Sequence, residues 1–278
     1  MIKLKLNRGY SLIELMVAIT IGLLISSVAV AYLVNSSRSF NVSNIDARVQ
    51  ENGFFGLEVL TQNIRIAGFH YVGLTDTPSY LANRNICPDS DGAGNATACL
   101  GDAVDGVSDR IAFEAVTRNP IPNAGIMGGG GVACDGTALN QTVSELYVNV
   151  FWVGNANLNC QTINVDAGNV AVGATTPLVQ GVDSMQIQYG LDMDSDGSVD
   201  SYMPFTELAA PLADSINRVR AIRVALLVNS GLAGLNGSVT DTQANRNYTL
   251  LDAPVAVFND SSRREIYTTT VMLPNYRN

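Results

Sequence analysis

Four carboxylates crowd into nine residues at Asp192-Met-Asp194-Ser-Asp196-Gly197-Ser-Val-Asp200. Acidic side chains at the first, third, fifth and ninth positions, with glycine at the sixth for a sharp turn, follow the spacing of a calcium loop. There, hard oxygen donors converge on one cation at about 2.4 Å. The C=O of Ser198 would supply the ligand at position seven. Position twelve is Met203, so the bidentate carboxylate of a full loop is missing unless Glu207 curls back, and the affinity expected is millimolar. The competing reading is a solvated acidic turn between two strands. Calcium is preferred because four like charges so close together repel one another unless a cation neutralises them.

The remaining reactive side chains suggest structure rather than catalysis. Cys87, Cys99, Cys134 and Cys160 could in principle hold zinc, yet no Cys-x-x-Cys spacing occurs and the one histidine, His70, is remote in sequence. Disulfides are therefore expected. Spacing does not choose among the possible pairings; Cys87 with Cys99 and Cys134 with Cys160 is preferred, because each closes a loop rich in Gly, Asn and Asp. No serine or cysteine has a nearby base in sequence, so an enzyme is not expected. His70 is read as an exposed or hydrogen-bonded residue past a helix end, Asp89 and Asp91 as loop polarity, and Trp152 as core.

One more ionisable group stands out by its surroundings. A short basic leader (Lys3, Lys5, Arg8) ends at Gly9, and residues 10 to 34 carry a single charge, Glu14. At about 1.5 Å rise per residue that stretch is long enough as a helix to cross a hydrocarbon core of roughly 30 Å. The leader's cations predict a cytoplasmic N-terminus and an exported remainder. A carboxylate inside such a span costs about 2 to 3 kcal/mol at mid-membrane, less toward the interface, so Glu14 needs a partner. A cleaved secretory signal would carry its small residues after the apolar run; Ala29 and Ala31 allow that reading on paper, but the run is long for it.

Gly9, the aromatic Tyr10 and Ser11-Leu-Ile-Glu14-Leu15 together resemble the class III signal of type IV prepilins and pseudopilins. The resemblance implies cleavage by a prepilin peptidase between Gly9 and Tyr10, N-methylation of Tyr10, and pairing of Glu14 with the N-terminal amine of a neighbouring subunit, setting filament register. Here Tyr10 stands where phenylalanine is more usual. Opposite charges in low dielectric attract strongly, and an unpaired one is costly, which agrees with that role.

Positioning these groups requires a long helix and a β-rich domain. Past Val34 the chain turns polar without a proline before Pro78, and Ile45, Val49, Gly53, Leu57, Leu60 and Ile64 form an apolar stripe at spacings of three and four. The helix is expected to run to about Ile66 and end at Gly68, with Gly53 and Gly56 each weakening it by about 1 kcal/mol relative to alanine. Residues 68 to 107 read as a loop-rich insertion, and residues 127 to 131 as a flexible glycine connector. Alternation predicts strands at Arg110 to Thr117, Glu145 to Val153, around Met185-Gln-Ile187-Gln-Tyr189, at Val219 to Val228 and at Glu265 to Leu273. The expected fold class is α+β: a pilin-like helix packed on an antiparallel β-sheet domain with disulfide-bearing loop insertions. The expected segments are a leader over 1–9, a transmembrane and filament-core helix over 10–34, its amphipathic half over 35–67, and a periplasmic or extracellular domain over 68–278.

Pro177 to Gly190, Val219 to Ser230 and Arg263-Arg264 before the Thr-rich strand resemble the C-terminal half of PilW-type minor pilins. The ending Leu273-Pro-Asn-Tyr-Arg-Asn278 departs from that family's usual short Leu-Arg-Asn tail. The resemblance implies a minor pilin that primes assembly of a type IV pilus near its tip. Its partners would be other minor pilins, the major pilin, the prepilin peptidase, the inner-membrane assembly platform and a tip adhesin. It would sit in the inner membrane first and in the pilus at the cell surface later. A minor pseudopilin of a type II secretion system shares the same N-terminal logic. A tip adhesin or DNA-uptake receptor is the reading from another class. Formal charge is −9, and more negative once the three leader cations are removed. Nucleic acid is an unfavoured partner, because phosphate binding needs clustered cations.

Overall fold

The computed structural model describes residues 11–68, 81, 85–87, 98–101, 108–117, 133–134, 137, 139, 145–208, 212–230, 247–251, 253, 256–258 and 262–274. The leader with Gly9 and Tyr10, His70, Asp89, Asp91 and the glycine connector lie outside them. Helix α1 spans Leu12–Ile66. Ala67 N–H donates to the C=O of Asn63, and Gly68 follows at φ 70°, the left-handed conformation that commonly closes a helix on glycine. The chain divides into two compact units, 1–47 and 48–278. In the first, α1 is mostly apolar on all sides from Leu12 to Val34 apart from Glu14, with Leu12, Ile13, Leu23, Leu24 and Val28 each about two-thirds exposed or more. It is long and apolar enough to cross a membrane.

In the second unit the rest of α1 buries Val49, Gly53, Gly56, Leu57, Leu60, Thr61 and Ile64, the stripe that spacing predicts without Ile45, which is half-buried, and with Gly56 and Thr61 added. Two four-stranded antiparallel sheets meet this face. The first comprises β1 (Arg110–Thr117), β2 (Glu145–Gly154), β3 (Asn157–Asn164) and β4 (Val170–Gln180) in sequential order. The second, in the order β10-β7-β5-β6, comprises β5 (Val182–Leu191), β6 (Ser201–Met203), β7 (Val219–Asn229) and β10 (Arg264–Met272). A short helix α2 (Leu212–Asn217) precedes β7, and β8 (Asn247–Tyr248) pairs with β9 (Ala256–Val257). Among the described residues the domain thus holds two main antiparallel sheets, as the α+β class implies.

One core joins α1 to both sheets. Val49, Leu57, Leu60 and Ile64 pack in the same cluster as Phe151, Leu158 and Val179 of the first sheet and Met185, Leu226 and Val271 of the second. Ser108 and Asp109 stitch the sheets together: Met185 N–H donates to Ser108 Oγ at 3.0 Å, and Ile187 N–H donates to Asp109 Oδ2 at 2.7 Å. The outer face of the first sheet is also dry. Cys87 and Cys99 pack there with Val148, Val150, Trp152 and Ile163, so β2 is buried on both faces and Trp152 is core. Ala225 and Leu227 of β7 likewise pack outward against Leu250, Tyr248 and Phe258, which is why β7 reads as an apolar run rather than an alternation.

The two helix glycines are where α1 comes closest to the sheets. A Cβ at Gly53 would lie 2.4 Å from Tyr267 Cδ2 and 2.7 Å from its Cγ, and one at Gly56 would lie 2.9 Å from Leu226 Cδ1. Helix propensity has been given up for this approach. Gly53→Ala should therefore destabilise the protein, since an overpacking cost of about 1 to 3 kcal/mol exceeds a propensity gain of about 1 kcal/mol. In a Tyr267→Ala background the same change should become neutral or stabilising. Denaturant unfolding of the four proteins in this cycle checks it; equal effects in both backgrounds would show that Tyr267 is not what excludes a side chain at position 53.

Candidate functional site

Glu14 lies in the first turn of α1, the only charged residue between Leu12 and Val34, and it is exposed along with its apolar neighbours. The unpaired N–H groups of a helix start favour a negative charge there. The surrounding side chains are leucine, isoleucine and methionine.

The acidic loop follows β5 and closes on itself. Asp192 is fully buried: its Oδ1 accepts the Ser195 N–H at 2.6 Å, and its Oδ2 accepts the Gly197 N–H at 3.0 Å and Arg220 Nε at 3.1 Å. Asp194 Oδ1 accepts the Asp196 N–H, Asp196 Oδ1 accepts the Ser198 N–H, and Asp200 Oδ2 accepts the Met193 N–H. Gly197 turns at φ 89°, so the glycine at position six does make the sharp bend. Asp192, Asp194 and Asp200 each offer an oxygen, and these lie within 4.8 Å of one another. Asp196 and Glu207 are not in that group; Glu207 ends a 3-10 turn over Phe205–Glu207.

Arg220 is what sequence reasoning missed. It stands second in β7, 5% exposed, and forms a buried ion pair with Asp192; Arg220 Nη1 also donates to the Asn217 C=O. One of the four charges is thereby neutralised within the fold. A second buried pair joins Arg264 Nε to Asp183 Oδ2 at 2.6 Å, and Asn229 Nδ2 donates to Asp183 Oδ1. The available signal was an arginine at the start of a mostly apolar strand, a residue almost never buried without a partner.

Both expected disulfides are present, Cys87–Cys99 and Cys134–Cys160. The first fastens a loop segment over the outer face of the first sheet. The second ties the segment around residue 134 to β3, where Cys134 N–H donates to Thr162 Oγ1 at 2.9 Å.

Residues 145–275 match the family model described as Type IV Pilus-assembly protein W, and residues 4–30 match the prokaryotic N-terminal methylation motif. A type IV-like pilin from Thermus thermophilus is similar in structure, with 14% identity, a TM-score of 0.44, and coverage of 83% of this chain and 99% of that one. No curated protein gives a significant match.

Removing one partner of a buried ion pair leaves the other charge stranded, at about 3 to 5 kcal/mol. Asp192→Ala should lower unfolding stability by that order, whereas Asp194→Ala, at an exposed position, should stay within about 1 kcal/mol. Chemical denaturation of the two variants distinguishes them, and equal small losses would remove Asp192 from its structural role.

Proposed function

We propose that this type IV pilin-like chain, which carries a PilW domain behind a prepilin methylation motif, is a minor pilin that primes pilus assembly at or near the fibre tip. The observation that carries the reading is the pairing, in one chain, of a methylation motif over 4–30 with a pilus-assembly domain over 145–275. The motif and the apolar half of α1 fit anchoring in the inner membrane, followed by incorporation into the pilus at the cell surface. Pilin nature implies assembly with other pilins and with the pilus machinery.

In this reading a prepilin peptidase cuts between Gly9 and Tyr10, and the new amine is methylated. Glu14, then fifth in the mature chain, meets the N-terminal amine of an adjacent subunit as the helices pack. The attraction is strong because neither group is hydrated there, and a wrong stagger leaves two charges unpaired in an apolar bundle. Other minor pilins and the major pilin are the neighbours, the inner-membrane platform lifts the subunit out, and a tip adhesin rides above it. The description of the matched domain as a pilus-assembly protein favours this over a secretion pseudopilin. The formal charge of −9 disfavours DNA uptake.

We propose in addition that the loop at Asp192, Asp194, Asp196, Ser198 and Asp200 takes calcium weakly. In support, three of its carboxylate oxygens lie within 4.8 Å of one another. Arg220 already compensates Asp192, so affinity of order 10⁻⁴ to 10⁻³ M is expected.

Deleting the gene in a strain unable to retract pili should sharply lower the number of surface pili while major pilin persists in the membrane. Complementation with Glu14→Ala should restore the membrane protein but not the pili; full piliation in that strain would remove the register role. For calcium, isothermal titration should give heat with the native chain and none with an Asp194→Ala/Asp200→Ala variant, both of which leave the Asp192–Arg220 pair in place. No heat from the native chain would overturn the site.

A further inference from the structure

The two main sheets have four outer edges, and three of them are blunted. Leu81 and Gly101 bridge to Phe113 and Arg110, covering the edge of β1. The outermost strand at the other side of that sheet, β4, shifts register twice against β3 and carries Gly173 at φ 73° and Pro177. At the far side of the second sheet β6 is three residues long. Covering, bulging, proline and shortness are the devices by which proteins keep unpaired backbone from recruiting another strand.

Among the described residues the fourth edge, β10, shows none of them. Its nine residues pair with β7 in unbroken register from Arg264↔Asn229 to Met272↔Ala221, without proline or lysine. Among the described residues no strand lies on its other side. The direction of its backbone groups follows from its two ends. Ser230 N–H donates to the Arg263 C=O at 3.0 Å, and Leu273 N–H donates to the Arg220 C=O at 2.8 Å. Hydrogen-bonded positions alternate in an antiparallel ladder, so the odd-numbered residues from 263 to 273 spend their N–H and C=O groups on β7. Ile266, Thr268, Thr270 and Met272 then aim theirs outward, and all four side chains are exposed.

The chemistry of this edge selects its occupant. The exposed stretch from Ile266 to Met272 carries no charge, and the one exposed acid of the strand, Glu265, is paired with Arg263 at 3.4 Å. A charged segment would gain nothing there. On the α1 side, Phe54 stands edge-on to Tyr267 with ring centroids 5.5 Å apart and remains 65% exposed. We propose that β10 is a docking edge on which another pilin of the same filament adds one extended, uncharged strand. Main-chain hydrogen bonds to residues 266, 268, 270 and 272 supply attachment, and apolar side chains of the added strand cover Phe54. The proposal rests on the pilin reading above and names the kind of contact by which the subunit joins its neighbours.

The test uses the full chain in piliated cells lacking the native copy. A photo-crosslinking residue placed at Thr270 should yield an adduct whose mass spectrum identifies an extended, uncharged segment of another pilin; the same residue at Thr175 of β4 should not. Thr268→Pro removes an outward donor without touching the β7 ladder, and Thr268→Lys keeps the donor but adds a cation. Both should abolish the Thr270 adduct while the protein accumulates in the membrane at the native level. No adduct from Thr270 in cells whose pili depend on this gene would overturn the docking edge and leave the assembly role standing. An adduct to a charged or helical segment, or one that survives both variants, would also overturn it. Pili that do not depend on the gene would instead refute the assembly role.

Discussion

The close approach of α1 to the sheets at Gly53 and Gly56 is the constraint on which the domain depends. A helix normally stands off a sheet by the length of its side chains. Here two glycines on the buried face let Tyr267 from one sheet and Leu226 from its neighbouring strand come nearer than any Cβ would allow. Leu57, Leu60 and Ile64 then reach past that contact into a core shared with Leu158 and Val179 of the first sheet and Met185 and Val271 of the second. Both sheets rest on one helical face, and Ser108 and Asp109 fasten the seam between them.

Electrostatics then pins the register of the second sheet. Strand β5 is bracketed by Asp183 near its start and Asp192 just past its end. Asp183 is held by Arg264 of β10 and Asn229 at the end of β7, and Asp192 by Arg220 at the start of β7. A one-residue slip of β7 would strand the buried Asp192 and Arg220 charges at one end and break the Asn229–Asp183 hydrogen bond at the other, which opposes slippage more sharply than the apolar pattern of a strand buried on both faces. The acidic loop is thus a structural closure first, and any cation it takes is added to a carboxylate already compensated.

Much of this was legible in residue patterns. The helix end at Ile66 and the strands around 110–117, 145–153 and 219–228 follow from periodicity and are present in the structure; the cysteine pairing, which spacing did not choose, is the one preferred for its loop composition. Strand β3 was not legible, because Asn157, Asn159 and Asn164 are poor strand formers that are held there by cross-strand pairing and local bonds such as Asn159 Nδ2 to the Gly154 C=O. Strand β4 escaped notice because its bulges break the alternation. At the acidic loop the ligand spacing was visible but Arg220, twenty residues beyond Asp200, was not: a contact between distant residues leaves no local periodicity. Gly53 and Gly56 were visible only as weak points in a helix, since the side chains that require them, Tyr267 and Leu226, lie far along the chain.

α1 serves two solvents in succession, apolar all round over the span that carries Glu14 and apolar on one face where it meets the domain. In the function proposed above, the first of these halves is a processed, filament-packing helix and not a permanent anchor. The most direct measurement is the mass of the N-terminal peptide of the chain recovered from sheared, purified pili. The account predicts a peptide beginning at N-methylated Tyr10. A chain beginning at Met1, or one that never leaves the membrane fraction, would contradict it.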